Sequence, residues 1–290
     1  MHKHRLQLYV LLTPYLIGLC VLVIVPMLIT VALSFTQYDI FSPPEWIGPA
    51  NYLHWLTDQR FQRALFNSAW YMIVSVALRV AGALLLALAL NRSGRAVEIA
   101  RATIYLPTLM PEVAYALVWL LIFNPGFGPL NLALKALGLP TWPWLQDEFT
   151  ARAAIVVMAL FELGEGFVLL LAALQTIPHD LLEAAALDGA NRLQAFRRVL
   201  LPLMTPALLL LAFRDTALSF QTSFVPALLT TETGPYYATY FLPHYMFDES
   251  FGLFKYGYGS AITVIMYVLS ALLVIGQYAV AKRWSRADEI

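Results

Sequence analysis

Long apolar runs separated by short polar segments dominate the pattern of the chain. Six of them lie at approximately 9–35, 68–90, 103–123, 153–175, 203–229 and 259–281. Each has about the 20 mostly apolar residues that a helix needs to cross a bilayer. None shows the alternation of a barrel strand, and lipid offers no partner to the backbone of an open strand. The pattern predicts an all-α integral membrane protein with six transmembrane helices.

The distribution of cations predicts an orientation. Alternate segments hold eleven of them: Lys3, Arg5, Arg92, Arg95, Arg101, Arg192, Arg197, Arg198, Lys282, Arg283 and Arg286. The opposite loops hold five: Arg60, Arg63, Lys135, Arg152 and Lys255. Because cytoplasmic segments are the ones enriched in lysine and arginine, both termini are expected in the cytoplasm.

Composition agrees with a membrane protein and excludes other classes. The chain is 60% hydrophobic and only 12% charged, with a mean hydropathy of +0.69 over 290 residues. One soluble core could not bury so much apolar surface. A formal net charge of zero gives no basic signal for nucleic acid. Since no linker or soluble domain is evident, residues 1–290 are interpreted as a single transmembrane domain.

One inward loop, at about 178–202, is too long for a simple turn and has a helical pattern. Pro178 is suited to begin a helix, and Gly189 permits a sharp reversal. Asn191 can cap a second short helix, and Pro202 marks the return to the membrane. The loop is predicted to be a helix-turn-helix on the cytoplasmic face. Periodicity alone leaves open that it is merely an interfacial amphipathic helix.

A fixed motif in this loop distinguishes between the helix-turn-helix and the interfacial amphipathic helix. It reads Glu183-Ala184-Ala185-Ala186-Leu187-Asp188-Gly189-Ala190 and, after eight residues, Val199-Leu200-Leu201-Pro202. This resembles the EAA motif of the permease subunits of binding-protein-dependent ABC importers, with Val199 in place of isoleucine. The length and spacing of the match favour the importer interpretation over the interfacial helix.

The resemblance covers nearly the whole chain and is closest to carbohydrate-type permeases of the maltose, lactose and glycerol-phosphate systems. Further segments that carry it are Thr13-Pro14-Tyr15-Leu16, Gly48-Pro49-Ala50-Asn51-Tyr52, Tyr105-Leu106-Pro107, Leu174-Gln175-Thr176-Ile177-Pro178 and Thr233-Gly234-Pro235. The chain is similar to the first of the two permeases in such systems. The chain departs from these permeases at two places: Glu232-Thr233 precedes Gly234, and the fourth helix carries acidic residues.

The resemblance implies a type I ABC importer permease fold and a set of partners. These are a second permease subunit of different sequence, a cytoplasmic ATPase dimer that binds ATP and magnesium, and an extracytoplasmic substrate-binding protein. It places the chain in a bacterial or archaeal cytoplasmic membrane and implies no cofactor in this chain. The residues expected to couple to the ATPase are Glu183, Ala184, Ala185, Asp188, Gly189, Ala190, Phe196 and Pro202. Glu183 and Asp188 are expected to cap the short helices or to pair with partner cations.

No enzymatic motif is present in the sequence. The lysines do not follow a GxxxxGK[ST] phosphate loop, and the histidines form no HExxH pattern. A GxSxG nucleophile elbow is also missing from the sequence. The chain is therefore predicted to be a transport subunit that does not hydrolyse ATP.

Ionisable residues inside the apolar runs are the candidates for a substrate pathway, because such groups are costly in lipid and face a cavity or each other. They are Arg79, Glu112, Glu162, Glu165, Arg214 and Asp215. Glu162 and Glu165 are three apart and are predicted to share one helix face, with room beside them at Gly164 and Gly166.

The fifth run contains the second candidate segment for the pathway. By resemblance to maltose-type permeases, the stretch Phe220-Gln221-Thr222-Ser223-Phe224 is expected to contact the solute, with Gln221, Ser223 and Phe224 as its site residues. The alternative for each ionisable residue is a structural ion pair that holds the bundle together.

Two other functions remain open at this point. Buried acids and arginines also allow an ion-driven secondary transporter, which would act without a separate ATPase. An intramembrane enzyme would need a nucleophile-base pair or a metal site, for which the sequence offers no constellation. The residues do not identify the solute.

Overall fold

The computed structural model describes residues 2–287, with the side chains of residues 11–178, 180–280 and 282. Lys3, Arg5, Arg283 and Arg286, which contribute to the predicted orientation, lie outside the described side chains. The chain divides into two units. The first joins the chain up to Gln62 with Tyr245–Val268, and the second joins Arg63–His244 with the chain from Leu269 onward.

The first unit begins with a long apolar helix. It consists of α1 (His2–Leu19), a π-helical turn at Cys20–Ile24 and α2 (Val25–Leu33). The most apolar window of Leu11–Leu33 buries none of its residues within the described structure. A helix that is apolar on every side and has no protein around it is typical of a membrane span.

A short hairpin and a short helix follow. Strands β1 (Thr36–Gln37) and β2 (Glu45–Trp46) pair antiparallel, and α3 (Ala50–His54) comes next. The two two-residue strands are the departure from the predicted all-α architecture. Asn51 fixes the hairpin, since its Nδ2 donates to the Ser34 and Thr36 carbonyls at 2.9 Å each.

Residues 245–268 complete the first unit and lie beside α3. They hold the end of α13 (Leu242–Phe247), a π turn at Asp248–Gly252 and the start of α14 (Tyr256–Ala287). Asp58 accepts hydrogen bonds from the hydroxyls of Tyr245 and Tyr258 and from the backbone N–H groups of Arg60 and Phe61. This carboxylate therefore caps α4 (Gln59–Ala89) and ties it to the later segment.

The second unit consists of helices from α4 to α12 and parts of α13 and α14. Its further helices are α5 (Arg95–Tyr105), α6 (Glu112–Ile122), α7 (Pro129–Ala136), α8 (Glu148–Phe161), α9 (Gly164–Gln175), α10 (His179–Leu187), α11 (Arg192–Ala195) and α12 (Leu201–Thr230). Short 3-10 turns lie at Leu106–Leu109 and Pro235–Tyr237, and a π turn lies at Phe196–Leu200. Helix α12 packs against α6, α8 and α9, which makes it the central helix of this unit.

Four helical segments of the described chain are long and apolar enough to span a bilayer: Leu11–Leu33, Gln59–Ala89, Arg192–Thr230 and Tyr256–Val280. Two further candidates are broken. Arg95–Leu109 and Glu112–Ile122 meet at 106°, while Glu148–Phe161 and Gly164–Gln175 meet at 46°. The third and fourth runs of the sequence are therefore interrupted, although they were predicted as continuous helices. Pro107 and Pro111 account for the sharper break, because proline removes a backbone donor and restricts the residue before it.

Candidate functional site

A polar cavity of about 130 Å³ lies inside the second unit, between α4, α9 and α12. Its lining consists of Ser75, Val76, Arg79, Thr108, Glu162, Glu165, Arg214, Asp215, Leu218, Ser219 and Thr222. The cavity is large enough for several water molecules, each of which needs only roughly 10–15 Å³ of such space. Five of the six ionisable residues singled out from the sequence meet here, and Glu112 is the one that does not line the cavity.

A chain of ion pairs connects three helices at this cavity. Asp215, which is 6% exposed, accepts from Arg79 Nε at 2.9 Å and from Arg214 Nη1 at 3.2 Å. Arg214 also pairs through Nη2 with Glu165 of α9. Arg79 further donates from Nη1 to the Ala159 carbonyl of α8 at 3.2 Å. Arg79, Arg214 and Asp215 thus form the ion pairs that the structural alternative predicted, and they connect α4, α9 and α12. They line the cavity as well, so their part in a substrate pathway stays a prediction.

The two acids of the fourth run are arranged differently from the prediction. Glu162 is the residue that ends α8, and Glu165 lies in the first turn of α9. They stand on opposite sides of the 46° break, so the prediction of one shared face on a continuous helix is wrong. Both still line the same cavity, as the three-residue spacing predicted.

The glycines beside these acids allow close packing instead of leaving room. A Cβ at Gly164 would lie 2.7 Å from the Ile104 carbonyl oxygen and 2.9 Å from Tyr105 Cα. A Cβ at Gly166 would lie 3.0 Å from both methyl carbons of Leu211. The interpretation of free space at these positions is therefore wrong. Only glycine at 164 lets α9 approach the end of α5 so closely.

The predicted solute segment of α12 faces the cavity with other residues. Gln221 is exposed and does not line the cavity, and Ser223 is buried and donates to the Phe220 carbonyl at 3.1 Å. Phe224 packs its ring against the His244 imidazole, with the centroids 4.9 Å apart. The structure thus does not place Gln221, Ser223 or Phe224 at the cavity. Thr222 of the predicted stretch lines the cavity instead, together with Ser219, which was not named from the sequence.

A small change in helix phase explains this difference. Each residue advances a helix by about 100°, so Thr222 points away from both Gln221 and Ser223. The spacing of Leu218, Ser219 and Thr222 with Asp215 places them on one face at three- and four-residue intervals. That periodicity, counted from Asp215, was the available signal in the sequence.

The loop after α9 has the predicted helix-turn-helix form. Helix α10 begins directly after Pro178, and the reversal occurs at Gly189, whose φ is +81°. Asn191 caps α11, since its side chain accepts from the Gln194 N–H at 2.9 Å while Gln194 Oε1 accepts from the Asn191 N–H at 2.8 Å. Such a reciprocal capping box fixes the start of a short helix.

This turn presents a polar and small-residue surface. Glu183, Ala184, Asp188 and Gly189 are exposed, while Ala185 and Ala190 are half-buried. Leu187 is 89% exposed, the highest exposure of any large apolar side chain that the structure describes. The capping role considered for Asp188 is wrong, because it stands at the C-terminal end of α10 and Asn191 caps α11.

Two of the predicted coupling residues lie apart from this exposed turn. Phe196 packs on the apolar core formed by α4, α9 and α12, with Leu170 and Met204 among its members. Pro202 is exposed in the first turn of α12. The Phe196 ring therefore anchors the loop to the bundle.

Comparison with known proteins agrees with this architecture. The family of binding-protein-dependent transport system inner membrane components matches residues 79–286. The probable ABC transporter permease protein YesP of Bacillus subtilis is 32% identical, over 97% of this chain and 92% of the relative. The trehalose/maltose transport system permease protein MalF of Thermococcus litoralis is 33% identical, over 90% of this chain and 88% of the relative.

Solved structures share the fold. A chain of a bacterial alginate ABC transporter, in complex with an alginate pentasaccharide-bound periplasmic protein, superposes with a TM-score of 0.84. The match covers 97% of this chain and 96% of that chain at 22% identity, which shows a common fold. The type I importer permease fold implied by the EAA resemblance is thus confirmed. The chain belongs to the family of binding-protein-dependent transport system inner membrane components and is a permease subunit of an ABC importer.

Proposed function

We propose that the α10–Gly189–α11 turn docks on a cytoplasmic ATPase subunit and transmits its movements to the bundle. The observation that carries this proposal is the exposed turn itself. It combines an 89% exposed Leu187 with small residues that let a partner backbone approach closely. The anchor at Phe196 and the direct run into α12 give it a rigid path towards the cavity.

Coupling in this account requires contacts that differ between two states of the ATPase. A capped, reversed turn suits that role because it moves as one body and does not absorb the displacement. Helix α12 begins at Leu201 and carries Arg214, Asp215, Ser219 and Thr222 along the cavity. A push on the turn therefore reaches the cavity through one continuous helix.

The remaining features of the assembly follow from the same proposal. The two bent helix pairs count as one span each, which gives six spans in a single membrane domain. Both termini and the turn lie in the cytoplasm of a bacterial or archaeal cell. A second, different permease forms the other half of the pathway, and an extracytoplasmic binding protein delivers the solute. The ATPase dimer, not this chain, binds ATP and magnesium.

A saccharide is the solute class that the site supports best. The cavity offers carboxylate and hydroxyl oxygens, which accept hydrogen bonds from sugar hydroxyls. A relative in Thermococcus litoralis is named for trehalose and maltose, and one in Agrobacterium fabrum is named for sulfoquinovosyl glycerol. The alternative of an ion-driven transporter acting alone is not supported by the family.

The test is ATP-driven uptake by the reconstituted importer, with labelled maltose and trehalose as probes. Gly189→Ala should reduce uptake per ATP hydrolysed at least tenfold, because alanine in the left-handed region costs about 1–2 kcal/mol and deforms the turn. Gly138→Ala is the matched control, since Gly138 has a similar φ of +71° and both glycines are in open space.

Two results would contradict the proposal. Unchanged coupling in Gly189→Ala would show that the turn does not transmit motion. Uptake by this chain alone, abolished by a protonophore but not by ATP depletion, would favour the ion-driven transporter.

A further inference from the structure

The cavity has an unequal number of acidic and basic side chains. Three carboxylates and two guanidinium groups line it: Glu162, Glu165, Asp215, Arg79 and Arg214. With every group ionised, the lining carries one excess negative charge. A charge in a partly enclosed, low-dielectric space acts on a bound solute much more strongly than one in bulk water.

The ion pairs assign this excess to one residue. Arg79 pairs with Asp215, and Arg214 pairs with both Asp215 and Glu165. Among the described residues, Glu162 has neither an ion pair nor a side-chain hydrogen bond. It is also half-buried at the break between α8 and α9, so it faces the cavity without a fixed partner.

The neutral polar groups of the lining also present hydrogen-bond acceptors to the cavity, as the excess carboxylate does. Thr108 Oγ1 donates to the Tyr105 carbonyl at 2.6 Å, and Ser219 Oγ donates to the Thr216 carbonyl at 2.8 Å. Because their protons are engaged with the backbone, these hydroxyls present acceptor lone pairs to the cavity. Each guanidinium keeps further N–H groups, but both cations already face a carboxylate. The cavity is therefore rich in hydrogen-bond acceptors, and its excess charge is negative.

We infer that Glu162 determines the charge specificity of the pathway, so that a saccharide carrying an ammonium group is bound in preference to one carrying a carboxylate. This inference rests on the proposed saccharide function. An ammonium group would pair with Glu162 and donate to the hydroxyl oxygens beside it. A uronate would find both cations already paired with carboxylates and a like charge at Glu162, which is costly in a desolvated site.

Equilibrium binding to the purified permease pair with its ATPases tests the inference. The probes are three labelled disaccharides of similar size: cellobiose, the glucosamine dimer and cellobiouronic acid, at pH 6.5. The binding protein is omitted, so that its own specificity does not enter. Glu162→Gln should lower the ratio of glucosamine-dimer affinity to uronate affinity by about tenfold, as expected for removing one charge at contact distance in a partly hydrated site.

Two further variants separate the charge from other effects. Glu162→Asp keeps the carboxylate and should retain most of the preference. Glu98→Gln removes one negative charge from an exposed position of α5 outside the cavity and should leave the ratio unchanged.

The outcomes distinguish the two proposals. Binding of the probes with the same ratio in wild type and Glu162→Gln would overturn the role of Glu162 while leaving the saccharide function standing. A wild-type complex that binds none of the three probes would overturn this inference, and the saccharide function would fall with it if maltose and trehalose are not imported either.

Discussion

Gly164 offers a sharp test of how closely α9 must approach its neighbours. In Gly164→Ala the new methyl group would lie 2.7 Å from the Ile104 carbonyl oxygen, 2.9 Å from Tyr105 Cα and 2.9 Å from Thr108 Cγ2. Two of these three atoms belong to the backbone, so a side-chain rotation cannot relieve the contact. Overpacking of this kind costs typically about 1–3 kcal/mol.

Gly276→Ala is the matched control, because Gly276 is also helical but a Cβ there would meet nothing within 4 Å. Alanine in an open helical position should stabilise α14 by about 0.5–1 kcal/mol. The two variants should therefore differ by roughly 1.5–4 kcal/mol in the free energy of unfolding. The measurement is unfolding of the detergent-solubilised complex by increasing mole fraction of dodecyl sulfate.

A second readout follows from the place of Gly164 between the two cavity acids. Displacing the start of α9 moves Glu165 and its ion pair with Arg214. Solute affinity should therefore fall in Gly164→Ala and stay unchanged in Gly276→Ala. Equal stability of the two variants would show that α9 does not approach the end of α5 as closely as these contacts require.

Three further predictions follow from the second unit. Arg79→Met should lower the free energy of unfolding by about 3 kcal/mol, because it leaves Asp215 buried with one cation fewer. Adding Asp215→Leu should recover part of that loss in a double-mutant cycle. Thr222→Val should weaken solute binding, whereas Gln221→Leu should not, since of the two only Thr222 lines the cavity. Equal effects of the two variants in a binding titration would contradict the orientation of α12 about its axis. Burial lowers the pKa of His244 to about 4. The neutral imidazole therefore stabilises the fold fully above pH 6.5, and the free energy of unfolding falls, by up to about 3 kcal/mol, as the pH drops towards 4. His244→Phe should flatten that part of a stability-versus-pH curve, and an unchanged curve would argue against the buried imidazole.

The sequence was most informative where local chemistry determines the backbone. Gly189 and Asn191 predicted a reversal and a cap, and the structure has both at those residues. The apolar runs predicted where long helices lie, because hydropathy averaged over about 20 residues is a strong signal. The fixed spacing from Glu183 to Pro202 indicated the family correctly.

Breaks within apolar runs were not predicted, for a physical reason. Hydropathy does not distinguish a continuous helix from two helices joined by an apolar turn. The turn at Glu162 and Leu163 was therefore not evident from the sequence. Pro107 and Pro111, in contrast, could have indicated the 106° break in the preceding run. The close approach at Gly164 depends on contacts with a distant segment, which one sequence does not display.

The cavity was predicted in part. Charged residues in apolar runs are so costly that they identified Arg79, Arg214 and Asp215 correctly as partners or neighbours of a polar site. The choice among Gln221, Thr222 and Ser223 required the phase of α12. That helix is apolar over most of its surface, so periodicity gave little indication of which face meets its neighbours.

The most direct test of the account is the accessibility of the turn at Leu187. Cys20 is the one cysteine of the sequence, so Leu187→Cys in a Cys20→Ser background places a single thiol on the exposed turn. A membrane-impermeant maleimide should label it in inside-out vesicles stripped of the ATPase, and adding back the ATPase subunit should protect it. Labelling from the extracytoplasmic side, or labelling that the ATPase subunit does not reduce, would contradict the docking of this turn on a cytoplasmic motor.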